Sequence, residues 1–317
     1  MSNQRVRVGV VGVGSLGQWH ARIYSELPTA ELVGVYDINQ ARADEIAARY
    51  RTRAIRDMAA LAGMVEAVSI VVPADKHYEA ARHFLERGVH VLVEKPIAVN
   101  MAEAEAMVAA AQRQNLILQV GHIERFNPVL KFLEGILVQP RFIEAHRLQS
   151  YPRQRPGQPP RGTEVSVVLD LMIHDLEVIL HLVRARVRAF HAVGVSVLSP
   201  SEDIANVRLE FENGCVANVT TSRISPENLR KIRVFQADAY ISLDYERQSG
   251  EIYRKTPVGI ERARVPIEKG EPLQQELAAF VECVRTRGTP LVSGAQAAEA
   301  LNLAAAICRQ IRGQGLA

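Results

Sequence analysis

The sequence predicts an α/β protein, a doubly wound parallel sheet followed by an α+β domain with a largely antiparallel sheet. Three observations predict it. Over the first ~120 residues, short apolar runs alternate with alanine-rich stretches of helical period, the pattern of βαβ units whose sheet is covered on both faces. After Gly121 the pattern becomes a series of strand-like segments without helices between them, as an antiparallel sheet requires. Between the first apolar run and the first helical stretch stands Gly12-Val13-Gly14-Ser15-Leu16-Gly17.

In the first half, strands are expected at 6–11, 32–36, 67–72, 89–93 and 116–120, and helices at 16–26, 40–50, 76–86 and 102–114. The glycine motif gains its meaning from this strand–turn–helix context. Gly12 makes the tight turn, Gly14 lets the backbone approach a pyrophosphate, and Gly17 lets helix and strand pack closely. Ser15 and Leu16 lie in the same phosphate loop, and the positive end of the helix faces the anion. Twenty residues after Gly17 comes Asp37, at the end of the second strand, where a dinucleotide fold needs a carboxylate for the ribose hydroxyls. A carboxylate there repels a 2′-phosphate and so favours NAD over NADP, although Arg42 lies close downstream.

The segment 150–162 is too rich in proline, arginine and glycine for regular structure and reads as a long loop, either an ordered wall or a flap. An amphipathic helix is expected at 167–182, then strands at 188–197, 206–211, 216–222, 231–235 and 240–243. Glu212-Asn213-Gly214 marks a hairpin between two of them. Two helices, 272–287 and 295–312, close the chain. The expected division is a dinucleotide-binding domain at 1–121 and a second domain at 122–317, with the last helix a candidate to pack back on the first.

Composition sets the outer bounds. The chain has 317 residues, 48% of them hydrophobic and 23% charged, which suits a globular protein of two domains. A net charge of +3 speaks against a dedicated nucleic-acid binder. Cys215, Cys283 and Cys308 are far apart and odd in number, a pattern of reduced thiols rather than a disulfide framework or metal knuckle. No apolar run approaches the ~18 residues needed to span a membrane, and no signal peptide is apparent, so a cytoplasmic location is expected.

Four groups of residues have chemical potential. Pro73 and His77 stand at the carboxyl end of the third strand, the edge where open α/β sheets bind ligands, but they serve equally as a strand-to-helix turn. Glu94-Lys95-Pro96 ends the next strand and opens on the same edge. Its lysine can exchange a proton with a substrate hydroxyl, or can be an ordinary surface lysine. Asp170 and His174 lie four apart on one helix face, where the aspartate can orient the ring; a structural pair would look the same. Asp175 and Glu177 lie beside His174, yet no second histidine stands at ligand spacing, so no metal is expected. His122, Glu124, Arg125 and Asn127 crowd the switch between the domains, where an active-site mouth would fall.

The ordered set Gly12/Gly14/Gly17, Asp37, Pro73…His77, Glu94-Lys95-Pro96, Arg125-Phe126 and Asp170…His174 resembles the Gfo/Idh/MocA oxidoreductase family over essentially the whole chain. The resemblance implies a Rossmann domain that binds NAD through Gly12, Gly14, Ser15, Leu16, Gly17, Asp37, Pro73, His77, Glu94 and Lys95. It also implies an open-faced sheet that supports a homodimer or homotetramer, and hydride exchange with a sugar or polyol. Lys95 matches the family's catalytic acid/base, and Asp170 and His174 match the helix pair that orients substrate and shares the proton work. Glu177 departs from the pattern, standing where an aspartate is common.

The segment 121–128 most resembles members that oxidise the 3-hydroxyl of UDP-N-acetylglucosamine, with His122, Arg125 and Asn127 at the substrate. Their 3-keto product feeds 3-amino sugars of lipid A or lipopolysaccharide, and some recycle NAD with 2-oxoglutarate. For a diphosphate the chain offers Arg147, Arg153, Arg155 and Arg161, whose planar forks suit phosphate oxygens, or which form a solvated surface loop. The alternatives are a dehydrogenase of a free polyol or aldose, and an NAD-binding regulator without catalysis.

Overall fold

The computed structural model describes residues 5–153, 162, 163 and 165–313. The chain groups into two compact units, residues 1–123 with 271–298, and residues 124–270 with 299–317.

The first unit is built on six parallel strands, β1 (Val6–Val11), β2 (Ala30–Tyr36), β3 (Arg53–Ala54), β4 (Ala67–Ile70), β5 (His90–Glu94) and β6 (Leu118–Gly121), in the order β3-β2-β1-β4-β5-β6. This is the doubly wound order, reversing direction at β1/β4. All four residues of β4 are buried and five of the six in β1, which is why both read as continuous apolar runs. Helices α1 (Gly17–Glu26), α2 (Gln40–Arg49), α3 (Met58–Ala62), α4 (His77–Leu85) and α5 (Met101–Arg113) connect them. β3 and α3 escaped the sequence reading because two and five residues are too few to show a period.

One assignment changes. Sequence patterning left α8 (Pro272–Thr286) in the second domain, but its apolar stripe Leu273, Leu277, Phe280, Val281 and Val284 joins the core formed by Val6, Val8, Val10, Ala21 and Ile23 of β1 and α1. The first unit is therefore completed by residues that come late in the chain.

The second unit carries an eight-stranded sheet: β7 (Phe142–Leu148), β8 (Val187–Val195), β9 (Ile204–Phe211), β10 (Val216–Ser222), β11 (Leu229–Phe235), β12 (Ala239–Asp244), β13 (Ser249–Thr256) and β14 (Gly259–Arg264), in the order β14-β13-β12-β11-β7-β10-β9-β8. Only the central β7–β10 pair is parallel. β7 hid from the sequence reading because the residues it buries are Ile143, Ala145 and Arg147, and the arginine interrupts the alternation. β13 and the edge strand β14 hid because charged residues interrupt their apolar alternation. This unit also contains α6 (Pro128–Ile136), α7 (Ile173–Val183) and most of α9 (Gly294–Gly313). α7 continues directly from a π-helical turn, Val168–Met172, which holds Asp170. No helix among the described residues is long and apolar enough to cross a membrane.

Phe280 is fully buried in the first unit's core. Phe280→Ala should cost about 3–5 kcal/mol, read as a lower urea midpoint with the slope unchanged. A loss below ~0.5 kcal/mol, the range of ordinary surface changes, would mean that α8 does not complete this core.

Candidate active site

At the carboxyl edge of the first sheet each glycine of the motif has its own reason. Gly12 has φ +84° and donates its N–H to Tyr36 O at 2.8 Å; a Cβ there would overlap the carbonyl oxygen of Val71. A Cβ on Gly17 would overlap the carbonyl oxygen of Gly12, whereas nothing lies within 4 Å of the Gly14 position, the side left open to a ligand. α2 and α5 are capped by the side chains of Asn39 and Asn100, but α1 has neither a side-chain cap nor an acidic residue in its first turn. Its partial positive charge thus remains for an anion. These features fit a dinucleotide pyrophosphate.

Asp37 is fixed beside this loop. Its Oδ2 accepts from Val13 N at 2.8 Å and its Oδ1 from Asn39 N at 2.9 Å. Each guanidinium nitrogen of Arg42 donates one bond: Nε to Val13 O at 2.9 Å, Nη2 to Gln18 at 3.0 Å and Nη1 to Glu45 at 2.6 Å.

Pro73 is exposed and Lys95 half-buried at the ends of β4 and β5. His77, expected at the cofactor, is instead buried between two backbone carbonyls, with Nδ1 at 2.8 Å from Pro96 O and Nε2 at 3.0 Å from Val72 O. Burial pulls its pKa down and the two carbonyls resist. The His77 ring thus lies between the loop after β4 and the loop bearing Lys95. Glu94 meets the fully buried His20 at 3.3 Å (Nε2 to Oε1), and there is room for its carboxylate because residue 121 is glycine: a Cβ there would come within 2.9 Å of Oε1.

In the second unit, Asp170 of the π-helical turn and His174 of α7 are both partly exposed, flanked by the buried Leu171, Met172, Ile173 and Asp175. Arg125 and Asn127, expected at the substrate, face inward. Arg125 pairs with Glu177 at 2.6 Å, both almost wholly buried. Asn127 caps α6 by accepting from Val129 N at 3.1 Å, and donates to Glu124 and to Tyr245 O. Arg147 belongs to β7 rather than to the loop, and it holds Asp175 in a fork (2.7 and 3.2 Å) and Glu124 at 3.0 Å. Burial alone would lower its pKa, but the two carboxylates carry it above the ordinary arginine value. Its charge is already balanced by two buried carboxylates. Arg153 is exposed; Arg155 and Arg161 lie outside the described residues. His122 is buried at the end of β6, in the first unit. Among the described residues no group of His, Cys, Asp and Glu is arranged to hold a metal ion.

Residues 6–122 match the description "Oxidoreductase family, NAD-binding Rossmann fold" and residues 132–242 the "GFO/IDH/MocA C-terminal domain". The chain belongs to the Gfo/Idh/MocA oxidoreductase family. Within this family it is 37% identical over 286 residues to UDP-N-acetylglucosamine 3-dehydrogenase of Acidithiobacillus ferrooxidans, 88% of each chain. The solved structure of that enzyme superposes with a TM-score of 0.91 at 34% identity, covering 98% of both chains. The scyllo-inositol 2-dehydrogenase (NAD(+)) of Bacillus subtilis is 25% identical over 330 residues, 97% of this chain and 94% of its own. The family's Rossmann half agrees with the anion-ready α1 terminus and marks the cofactor as a nicotinamide dinucleotide.

Two further residues near the Gfo/Idh/MocA motif went unnoticed in the sequence. His20 lies one turn after Gly17 on the buried side of α1, and Glu276 sits on the apolar stripe of α8 with Leu273, Leu277 and Phe280. A carboxylate on such a stripe is itself a signal. Glu276 is fully buried, and burial, aided by the Glu94 charge, raises its pKa well above the ordinary glutamate value and so favours the neutral acid.

A linkage consequence follows. Above about pH 4.5 the unfolded chain gives up this proton while the folded chain keeps it, so wild-type stability falls with rising pH relative to Glu276→Gln. The slope is up to about 1.4 kcal/mol per pH unit until the folded group itself ionises. Urea unfolding of both proteins at about pH 6, 7 and 8 reads it. A constant difference would mean that Glu276 is ionised in the folded state.

Proposed function

We propose that the protein is an NAD-dependent dehydrogenase that oxidises the 3-hydroxyl of UDP-N-acetylglucosamine to the 3-keto sugar. The observation carrying this reading is the match over 98% of both chains to the enzyme of that name from Acidithiobacillus ferrooxidans. It is supported by the family's acid/base lysine and helix pair at Lys95, Asp170 and His174.

NAD, when bound, supplies the acceptor for the C3 hydride. Gly12, Gly14 and Gly17 admit its pyrophosphate, and Asp37 accepts from the ribose hydroxyls, with NAD favoured over NADP because that carboxylate repels a 2′-phosphate. Lys95 accepts the proton of the 3-hydroxyl as the C–H bond breaks. Asp170 orients His174, which holds the sugar hydroxyl and shares the proton. Arg153 is a candidate for the diphosphate. Recycling by 2-oxoglutarate and self-association through the second unit's sheet belong to the same reading. On that sheet Phe142, Phe235, Tyr240 and Tyr253 form a row of ring contacts. The 3-keto product suits an aminotransferase, and so a role in making 3-amino sugars for lipopolysaccharide.

Incubation with UDP-N-acetylglucosamine and NAD, with and without 2-oxoglutarate, should yield a nucleotide sugar lighter by two hydrogens in mass spectrometry. Lys95→Ala should lower turnover by roughly 10²–10⁴ while NAD still binds. Oxidation of myo-inositol or a free aldose in place of the nucleotide sugar would replace this substrate. Wild-type turnover in Lys95→Ala would remove the lysine from the mechanism. Asp37→Ala should shift the ratio of NAD to NADP affinity towards NADP, measured by fluorescence titration; an unchanged ratio would exclude Asp37 as the ribose ligand.

A further inference from the structure

Arg223 follows β10 directly and, among the described residues, is the largest fully buried side chain. A guanidinium has five N–H donors, and here each has a partner. Nε donates to Asp203 Oδ1 at 2.8 Å, Nη1 to Gly162 O at 2.5 Å and Val165 O at 2.8 Å, and Nη2 to Ser201 Oγ at 3.0 Å and Glu202 O at 3.1 Å. Asp203 is equally occupied. Its Oδ2 accepts from the N–H groups of Val197, Leu198 and Ser199 at 2.8, 2.6 and 2.9 Å, and its Oδ1 also accepts from Ser199 Oγ at 2.6 Å.

A buried ion pair is a weak source of stability, since an apolar pair of equal volume often does as well. What this one adds is geometry. Two of the five bonds grip the carbonyls of Gly162 and Val165, just ahead of the helix that carries Asp170. Gly162 has φ +82°, and a Cβ on it would stand 2.5 Å from Asp170 Oδ2 and 3.2 Å from its Cγ, so its bare Cα forms a wall against that carboxylate. The neighbouring bonds tie down the same turn: Val167 N to Glu202 O at 3.0 Å, Val168 N to Ser166 Oγ at 3.2 Å and Asp170 N to Ser166 O at 3.1 Å. Asp170 itself lies in a π turn, a geometry that recurs at functional sites and needs outside support.

We propose that Arg223 and Gly162 are positioning residues for Asp170: the Arg223–Asp203 pair fixes the Gly162 carbonyl, and the Gly162 backbone fixes the Asp170 carboxylate toward His174 and the sugar. Neither residue touches substrate, and the proposal rests on the reading of Asp170 given above.

The test is a double-mutant cycle of Gly162→Ala with Asp170→Asn, reading kcat, KM for the sugar and Kd for NAD. Gly162→Ala should lower kcat between roughly 10- and 100-fold, the cost of a misplacement of about an ångström, with the NAD Kd unchanged. In the Asp170→Asn background it should lower kcat less than about twofold, because the group it positions is already altered. Arg223→Lys keeps a charge beside Asp203 but loses the fork, and should repeat both results. If that variant does not fold, Gly162→Ala with Arg223 intact decides alone. Wild-type kcat in Gly162→Ala, or a double variant whose loss is the product of the two single losses, overturns the proposal. The cycle is run on whichever hydroxyl substrate the wild type oxidises. Failure of UDP-N-acetylglucosamine as substrate then bears on the functional reading, and the Gly162 result still stands or falls by itself.

Discussion

A charge taken out of water must find replacements for every hydration bond it gives up, and the second unit is arranged around that requirement. Arg147 lies in the central strand β7, where only its fork to Asp175 and its bond to Glu124 make burial tolerable. Arg125 meets Glu177 at 2.6 Å, two residues further along α7, and Arg223 pairs with Asp203 at the end of β10. An apolar core could hold these elements together as firmly. It could not dictate direction, because a guanidinium accepts partners only along its N–H bonds. The sheet and α7 are thereby locked in one mutual setting.

The first unit solves a related problem with atoms that are absent. Gly12, Gly17 and Gly121 each stand where a Cβ would strike a carbonyl or carboxylate oxygen. The close approaches they allow bring the phosphate loop onto its strand and make room for Glu94. His77 supplies the complementary device, one ring bonded to two loops.

Much of this was legible in the sequence for physical reasons. Buried parallel strands must be apolar throughout, so β1, β2, β4 and β5 announced themselves, and the glycine loop and Asp37 followed from spacing. Asp170 and His174 stand out by their spacing of four, but the π-helical turn that holds Asp170 does not follow from spacing. What stayed hidden depends on tertiary partners. Nothing in Phe142–Leu148 tells a reader that Arg147 will be buried and matched from two other segments. Likewise Arg125, Asn127 and His77 have the chemistry of site residues, yet their hydrogen bonds go to the protein's own atoms. Spacing gives the neighbourhood of a side chain but not the direction in which it points.

The late return of α8 has a consequence for how the chain is made. Residues 124–270 intervene between β6 and the helix that completes the first core. At ~5–20 residues per second of synthesis, the apolar faces of β1 and α1 wait roughly 13–50 s before Leu277 and Phe280 emerge to cover them. During that interval the oldest part of the protein is the least finished. It is then that a chaperone binding apolar surface has the most to protect.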